Sequence, residues 1–447
     1  MDSKIILKAH NLQLWLSKVL AQVGYNSSLG KFLRLGAYYI DGFLMLNAWT
    51  QFLLKRRDKI GDPFLGVDQA IIYNSYDDVK RLMETEPQWR QNDLGIIRIL
   101  ASSYMLGNPL TLGMNGEEHG GARAVFAVAI PEPTEKAEML GNLVDLLLAE
   151  AAVKGQLHIG EDLPGMVIKI LHQLIFDLEL SEAQVAGSRG YIKTLFLASL
   201  PEFLHKTVLK GVVKDAIEHR KRLIEFYQSS PRWQAYLDAG SQYGLNAHQV
   251  VNSIFDMIHI AGTAGTSALM GSVIGMLCLD SSLKADVTAE LDTLWDGQGT
   301  PDANALTNSV LMEKVILETA RLYPPVRFTC QLAPEAGEVN IGATKCPFQK
   351  GTRLLTSIFT ANRDPQKYQN PDQFDINRDN SDILAWNAAN HARACPGRSL
   401  SIGIIKMVCF YLLKKYQWDS HSEVKWDMEK VTAVTPNDLI LSGFRNK

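Results

Sequence analysis

The sequence predicts one large, mainly α-helical domain with a small β part. Long stretches repeat their apolar residues at the helical period. Strand-like alternation is confined to short pieces near Phe64–Tyr73 and Gly337–Leu355. No repeat, low-complexity tract or Pro/Gly/Ser-rich linker divides the 447 residues. An apolar share of 46% is ample for a core of that size, and 9% aromatic residues exclude a disordered chain. Charged residues make up 21%, with both signs interleaved and a net charge of −3, which argues against a nucleic-acid partner.

From the amino terminus, Met1–Gln13 lacks the apolar core and small-residue cleavage site of a secretory leader. Leu35–Leu54 is apolar but contains Asp41, Asn47 and Gln51. An aspartate near the centre of a span costs roughly 2.5–3.5 kcal/mol, so this stretch reads as a buried or interfacial helix with at most peripheral membrane contact. The basic run Lys55, Arg56, Arg57, Lys59 that follows reads as a solvated face. Residues 1–56 form a helical lead segment, and residues 57–447 form the domain. Leu94–Leu110 lies between two helical stretches and reads as a lid. A helix begins after Asn246, its N-cap, and runs from about Ala247 to Cys278. It is too long and too apolar for a surface helix, so it crosses the middle of the molecule.

The five cysteines, Cys278, Cys330, Cys346, Cys395 and Cys409, are odd in number, scattered and without a CxxC pair. That pattern suits neither a disulfide framework nor a zinc site, and points to a reducing, cytoplasmic setting. A chemically active cysteine here must act alone. Cys395 precedes Pro396, Gly397 and an apolar helix over Ser401–Tyr416, whose amino-terminal dipole favours a thiolate. On that segment alone an inert packing role stays open. Glu318 and Arg321 stand three apart in LETARLYPPV, on one helical face that Pro324 and Pro325 terminate. Alone they read as a surface ion pair. ANRDPQKYQNPDQFDINR, residues 361–378, reads as a polar loop. His119 and Arg123, one turn apart in GEEHGGARAVF, share a face. His119 alone reads as a satisfied core or surface histidine.

Taken together, and in their order along the chain, the segments resemble the cytochrome P450 family over roughly residues 57–440. The resemblance implies the mainly α cytochrome P450 fold and haem b as cofactor. Haem would lie between the Ala247–Cys278 helix and the helix after Cys395. It implies Cys395 as the thiolate ligand to iron, within the Arg393-x-Cys395-x-Gly397 pattern. It also implies a Glu318–Arg321–Arg378 cluster holding the ligand loop, and propionate contacts from His119, Arg123 and Arg393. A thiolate pushes electron density onto iron and favours O–O cleavage, which a carrier or gas sensor needs less.

The chain departs from the family at three places. Ala388 and His391 stand where an aromatic residue and a glycine are usual. Gln331 takes the place of a propionate-binding arginine, for which Arg327 is a candidate substitute. The usual AG-x-acid-Thr run is Ala261-Gly262-Thr263-Ala264-Gly265-Thr266, with Ala264 at the acid position and Gly265 at the alcohol position. A one-residue bulge would bring Thr266 into the alcohol's place. Alternatively Gly265 lets substrate or haem approach closely. Thr263, Ala264, Gly265 and Thr266 are therefore the candidate catalytic positions.

These features imply electron-fed oxidation of a small, largely apolar organic substrate, of an unusual kind such as radical coupling or specialised-metabolite oxidation. The pocket is expected between Ala261, Ala264, Gly265 and the Val326–Thr329 segment. The alternative is rearrangement or dehydration of a hydroperoxide with no electron donor. A ferredoxin or flavoprotein donor would dock near Arg398, Lys406, Lys414 and Lys415.

Overall fold

The computed structural model describes residues 3–23, 27–30, 32–33, 36, 40, 64–65, 71–84, 114, 116–194, 205–333, 335–341, 344–388, 391–426, 428 and 433–447. The Leu35–Leu54 helix, apart from Gly36 and Ile40, the basic run at 55–59 and the Leu94–Leu110 lid lie outside the described residues.

The long helix forms over Ala247–Leu279 and is buried along most of its length. Asn246 starts it as the sequence predicts: its Oδ1 accepts the Gln249 N–H at 2.9 Å, and its own N–H donates to Gln249 Oε1 at 3.0 Å. The helix is not uniform. Ala247–Asp256 and Ala264–Leu279 are α-helical, while Met257–Thr263 between them winds as a π-helix. Ile254, Ile258 and Val273 are fully enclosed, each stabilising the core by roughly 1.5–3 kcal/mol. Against this helix pack Ile159–Phe176, Val310–Leu322 and Arg398–Lys414. The last begins three residues before the predicted Ser401, because Gly397 is its N-cap.

The main sheet has four strands in the order Phe64–Leu65, Ile71–Tyr73, Arg353–Ser357, Phe328–Leu332. The Ile71–Tyr73 and Arg353–Ser357 strands run parallel, and the other two neighbour pairs are antiparallel. A hairpin pairs Gly337–Ile341 with Thr344–Phe348. Ile440–Ser442 lies between Gln156–His158 and Ser420–His421, and Arg445–Asn446 pairs with Tyr416–Gln417. Sheet is thus less confined than alternation predicts. The strands missed outside Phe328–Leu332 are two or three residues long, too short for a period of two to register.

A buried polar network ties Glu182–Thr194 and Lys210–Tyr227 to the π segment. The His172 Nδ1 faces the Ile168 carbonyl at 2.7 Å and so carries the proton, leaving Nε2 to accept from the Tyr227 hydroxyl at 2.8 Å. By the same logic His259 donates to the Phe255 carbonyl and accepts from Ser188 Oγ, which accepts from His219. Beside them the buried Arg220 pairs with Asp256 at 2.7 Å. Burial pulls His172 and His219 down to about 4, and holds His259 well below the usual range. Unfolded histidine takes its proton near 6.5, so between that pH and 4 the unfolded chain binds more protons than the fold. Stability conferred by these neutral histidines is complete above pH 6.5 and declines as pH falls towards 4. Replacing His172 by Gln, which stays neutral and can still accept from Tyr227, should flatten the pH slope of unfolding free energy in that window by about one proton. Urea titrations across the window check this, with Cys278→Ser expected to keep the wild-type slope.

Candidate functional site

Glu318 and Arg321 lie on the Val310–Leu322 helix with no solvent exposure, so the default reading of a surface pair gives way to a buried one. Arg321 Nε and Nη2 donate to the two Glu318 oxygens, both at 2.8 Å, in a fork that suits a carboxylate. Its remaining N–H groups reach the carbonyls of Asn362, Pro371 and Gln373. Glu318 also accepts from the Asp375 N–H and the Asn380 amide, and Arg378 approaches it at 3.5 Å. One buried pair thereby gathers the polar 361–380 loop beneath the chain that leads to Cys395.

That chain turns sharply before the cysteine. Trp386, Asn387 and Ala388 all have positive φ, and the Cys395 N–H donates back to the Trp386 carbonyl at 2.9 Å. The Trp386 indole donates to Ser401 Oγ at 3.1 Å, pinning the turn to the helix after Cys395. Cys395 itself is only part-buried. Burial raises its thiol, while the Gly397 N–H, Arg123 and Arg398 favour the thiolate. Cys278 and Cys409 contrast with it: burial pushes them up to about 11 and about 12, and neither has a backbone donor favouring its anion. Among the described residues a Cβ added at Gly397 would meet only the Cys395 sulfur, at an ordinary 4.0 Å, and the Gly397 N–H is its contact to the sulfur.

The cations predicted for this site come close to it. Arg123 and the buried His119 share the Gly116–Ala129 helix, and Arg123 donates to the Ala394 carbonyl at 2.8 Å. The buried Arg393 donates to the Met114 carbonyl at 2.7 Å. Burial and the neighbouring Arg123 pull Arg393 down to about 10, so the two guanidinium groups repel across a confined space. Gln331 is buried in the main sheet with its amide on the Leu82 carbonyl. Arg327 donates to the Met428 carbonyl, and its guanidinium lies 4.0 Å from the centre of the Phe359 ring.

On the central helix, Ala261 is exposed and Met257, Ile260, Ala264 and Gly265 are part-exposed, although their surroundings are core. Ala261, Ala264 and Gly265 form a small-residue strip on the accessible side of the helix, while Met257 and Ile260 also pack against the core. Thr263 and Thr266 are buried, and Thr263 Oγ1 has no hydrogen-bond partner among the described residues. Among the described residues a Cβ at Gly265 would touch only Pro325, at an ordinary 4.0 Å.

The family model described as Cytochrome P450 matches residues 192–441, more than half of the chain. This chain belongs to the cytochrome P450 family. A solved structure titled as a retinoic-acid-bound cyanobacterial CYP120A1 superposes with a TM-score of 0.72 at 17% identity, covering 88% of this chain and 94% of that one. Among curated relatives, an isoflavone 3'-hydroxylase of Medicago truncatula is 25% identical over 44% of this chain and 39% of its own length. A ferruginol synthase of Salvia fruticosa is 22% identical over 53% of this chain and 48% of its own length. The matches thus span about half or less of the curated relatives' length.

Cytochrome P450 proteins are oxidoreductases that carry haem b. The residues present suit that group. Cys395, its thiolate favoured by the Gly397 N–H, Arg123 and Arg398, offers the single sulfur ligand that a haem iron can take from a protein. Two mutually repelling guanidinium groups, the buried Arg393 and the part-buried Arg123, suit the carboxylates of a porphyrin.

Of the four basic residues expected to face a donor, Lys406 is buried and paired with Glu313 at 2.7 Å, Lys414 pairs with Asp292, Lys415 pairs with Asp145, and Arg398 is part-exposed over the Trp386 ring. Sequence reading missed Trp386 and Asn380. An aromatic residue sits in the cysteine turn after all, two positions earlier than the family spacing, and only the backbone turn reveals it.

Removing one member of the fully buried pair strands its partner's charge, at a cost of roughly 3–5 kcal/mol. Glu318→Ala and Arg321→Ala should therefore give insoluble or haem-free protein. Arg378→Ala, at the 11% exposed rim, should be milder. Soluble yield and haem content per chain measure the ranking, and equal, haem-replete yields for all three would count against the clamp.

Proposed function

We propose that this cytochrome P450 is a haem-thiolate oxidoreductase that oxidises a small, largely apolar organic substrate using electrons and dioxygen. The observation that carries the reading is Cys395, a part-buried sulfur held by the Gly397 N–H between Arg123 and Arg398. When bound, the haem supplies an iron whose reactivity the thiolate raises by donating electron density. Arg123, Arg393 and His119 would hold its carboxylates, and Gln331 would leave out a contact that an arginine makes. Ala261, Ala264, Gly265 and the exposed Val326 offer the accessible apolar surface on which such a substrate would lie. The hydroxylase activity named for the Medicago relative supports electron-fed chemistry.

Ala264 and Gly265 offer no proton donor on the accessible strip, while Thr263 and Thr266 lie buried. General acid–base help is typically worth about 10²–10⁴-fold in rate. Chemistry that needs no delivered proton, such as oxidative coupling, suits this strip better than hydroxylation of an unactivated carbon. The same observation favours a second reading, in which a hydroperoxide is rearranged or dehydrated without an electron donor. A ferredoxin or flavoprotein is the donor class for the first reading, in a cytoplasmic setting. Ile5, Leu12 and Trp15, exposed on the Ser3–Val23 helix, support peripheral contact with a membrane.

Three measurements test these assignments. The reduced protein with carbon monoxide should show the red-shifted Soret band of thiolate ligation; Cys395→Ser should lose it, and Cys278→Ser and Cys409→Ser should keep it. Turnover should require dioxygen and an electron donor; turnover on a hydroperoxide alone would favour the second reading. Ala264→Asp with Gly265→Thr should raise the fraction of electrons recovered in oxygenated product. A wild type already tightly coupled, and no better in the double variant, would refute the argument from the missing acid and alcohol.

A further inference from the structure

His391 makes hydrogen bonds with both ring nitrogens inside the turn that delivers Cys395. Its Nε2 faces the Asn387 carbonyl at 2.5 Å and its Nδ1 faces the Arg393 N–H at 3.2 Å. A carbonyl can only accept and an N–H can only donate, so Nε2 carries the proton and Nδ1 is bare. The Asn387 amide in turn donates to the Arg393 carbonyl at 2.7 Å, and the Ala394 N–H donates to the His391 carbonyl at 3.0 Å. His391, Asn387 and Arg393 thus close a ring of hydrogen bonds.

The ring encloses an unusual stretch of backbone. Trp386, Asn387 and Ala388 have φ of 57°, 63° and 57°, a left-handed run that residues with a Cβ rarely adopt even singly. Such a run persists only where its surroundings hold it. Trp386 is held through Ser401 and through the Cys395 N–H, whereas Asn387 is held through His391 and Arg393. A glycine at 391, the residue usual there in the resemblance, could make neither ring contact.

We propose that His391 is a positioning residue, whose imidazole holds the left-handed turn and thereby sets the Cys395 sulfur where it ligates iron. The inference rests on the haem-thiolate reading above. His391 touches neither sulfur nor substrate; it acts through Asn387 and Arg393.

Three variants of the full-length, haem-loaded protein separate the two contacts. Asn places an amide oxygen near the Nδ1 position and keeps the bond from Arg393. Gln places an amide nitrogen near the Nε2 position and keeps the bond to Asn387. Ala keeps neither. The readouts are the ratio of unshifted to red-shifted Soret band in the reduced carbon monoxide complex, and the reduction potential of the iron. His391→Ala should raise that ratio roughly tenfold, the equivalent of about 1.4 kcal/mol, and raise the potential as thiolate donation weakens. His391→Asn and His391→Gln should each recover part of both changes. A variant that only weakened the fold would lower yield without moving the ratio in the haem-loaded fraction. A wild-type ratio and potential in His391→Ala would overturn the inference. If that variant yields no soluble protein, Asn and Gln decide: wild-type values in both overturn it, and a raised ratio in either upholds it. A wild type without the red shift would instead overturn the reading beneath it, and this inference with it.

Discussion

The guanidinium of Arg321 is where the thiolate side of this molecule is anchored. It donates to Glu318 and to three main-chain carbonyls from the 361–380 loop, while Glu318 collects an N–H and an amide from that same loop. A charge this deep is tolerable only when all its hydrogen-bonding capacity is met, because nothing else replaces the water it has lost. The loop therefore has one arrangement open to it, and the backbone leaving it reaches the cysteine turn from a defined direction. Asn362 extends the same logic, accepting from Arg321 with its carbonyl and from the Leu384 N–H with its side chain.

From that anchor the two walls of the site differ in electrostatic character. Around Cys395 the neighbours are cationic or N–H donors, and they oppose the burial that would otherwise keep the sulfur protonated. The accessible strip of the central helix offers methyl groups and a glycine. Anionic groups are stabilised on one wall and apolar surface is left free on the other. An amphiphilic planar cofactor and an apolar substrate suit such a division of labour.

Much of this was legible in the sequence, for identifiable reasons. Glu318, Arg321 and the Asn246 cap depend on residues close together in the chain, where helical spacing dictates who meets whom. The assembly of Arg378, Asn380 and Glu318 needed the fold, since a polar loop carries no period to read. The same holds for Lys406, Lys414 and Lys415: their composition is that of a basic face, yet Glu313, Asp292 and Asp145 come from helices distant in sequence. The turn at Trp386–Ala388 left no trace because none of its three residues is a glycine, the usual signature of left-handed backbone. A one-residue bulge was one of two readings of the Ala261–Thr266 run, but winding as a π-helix over Met257–Thr263 was not legible, because an apolar run that long looks the same at either winding.

That π segment also limits how the gene can change. Before it, the Asn246 cap and the Arg220–Asp256 pair fix the rotation of the helix. After it, Gly271 and Gly275 press against Thr435, Trp426 and Pro436, with no space for a Cβ without displacement. Both ends of one rod are keyed to the rest of the protein, and the surplus residue between them takes up the mismatch. Losing one codon within Met257–Thr263 would remove that surplus residue and let the run wind evenly with both ends still in phase, whereas losing one in either α-helical stretch would turn one end against the other by about 100°. In that second case either the buried arginine would lose its aspartate or the glycines would lose their seats. Loss of a residue is therefore expected to be tolerated at the π segment and not in the helix on either side of it.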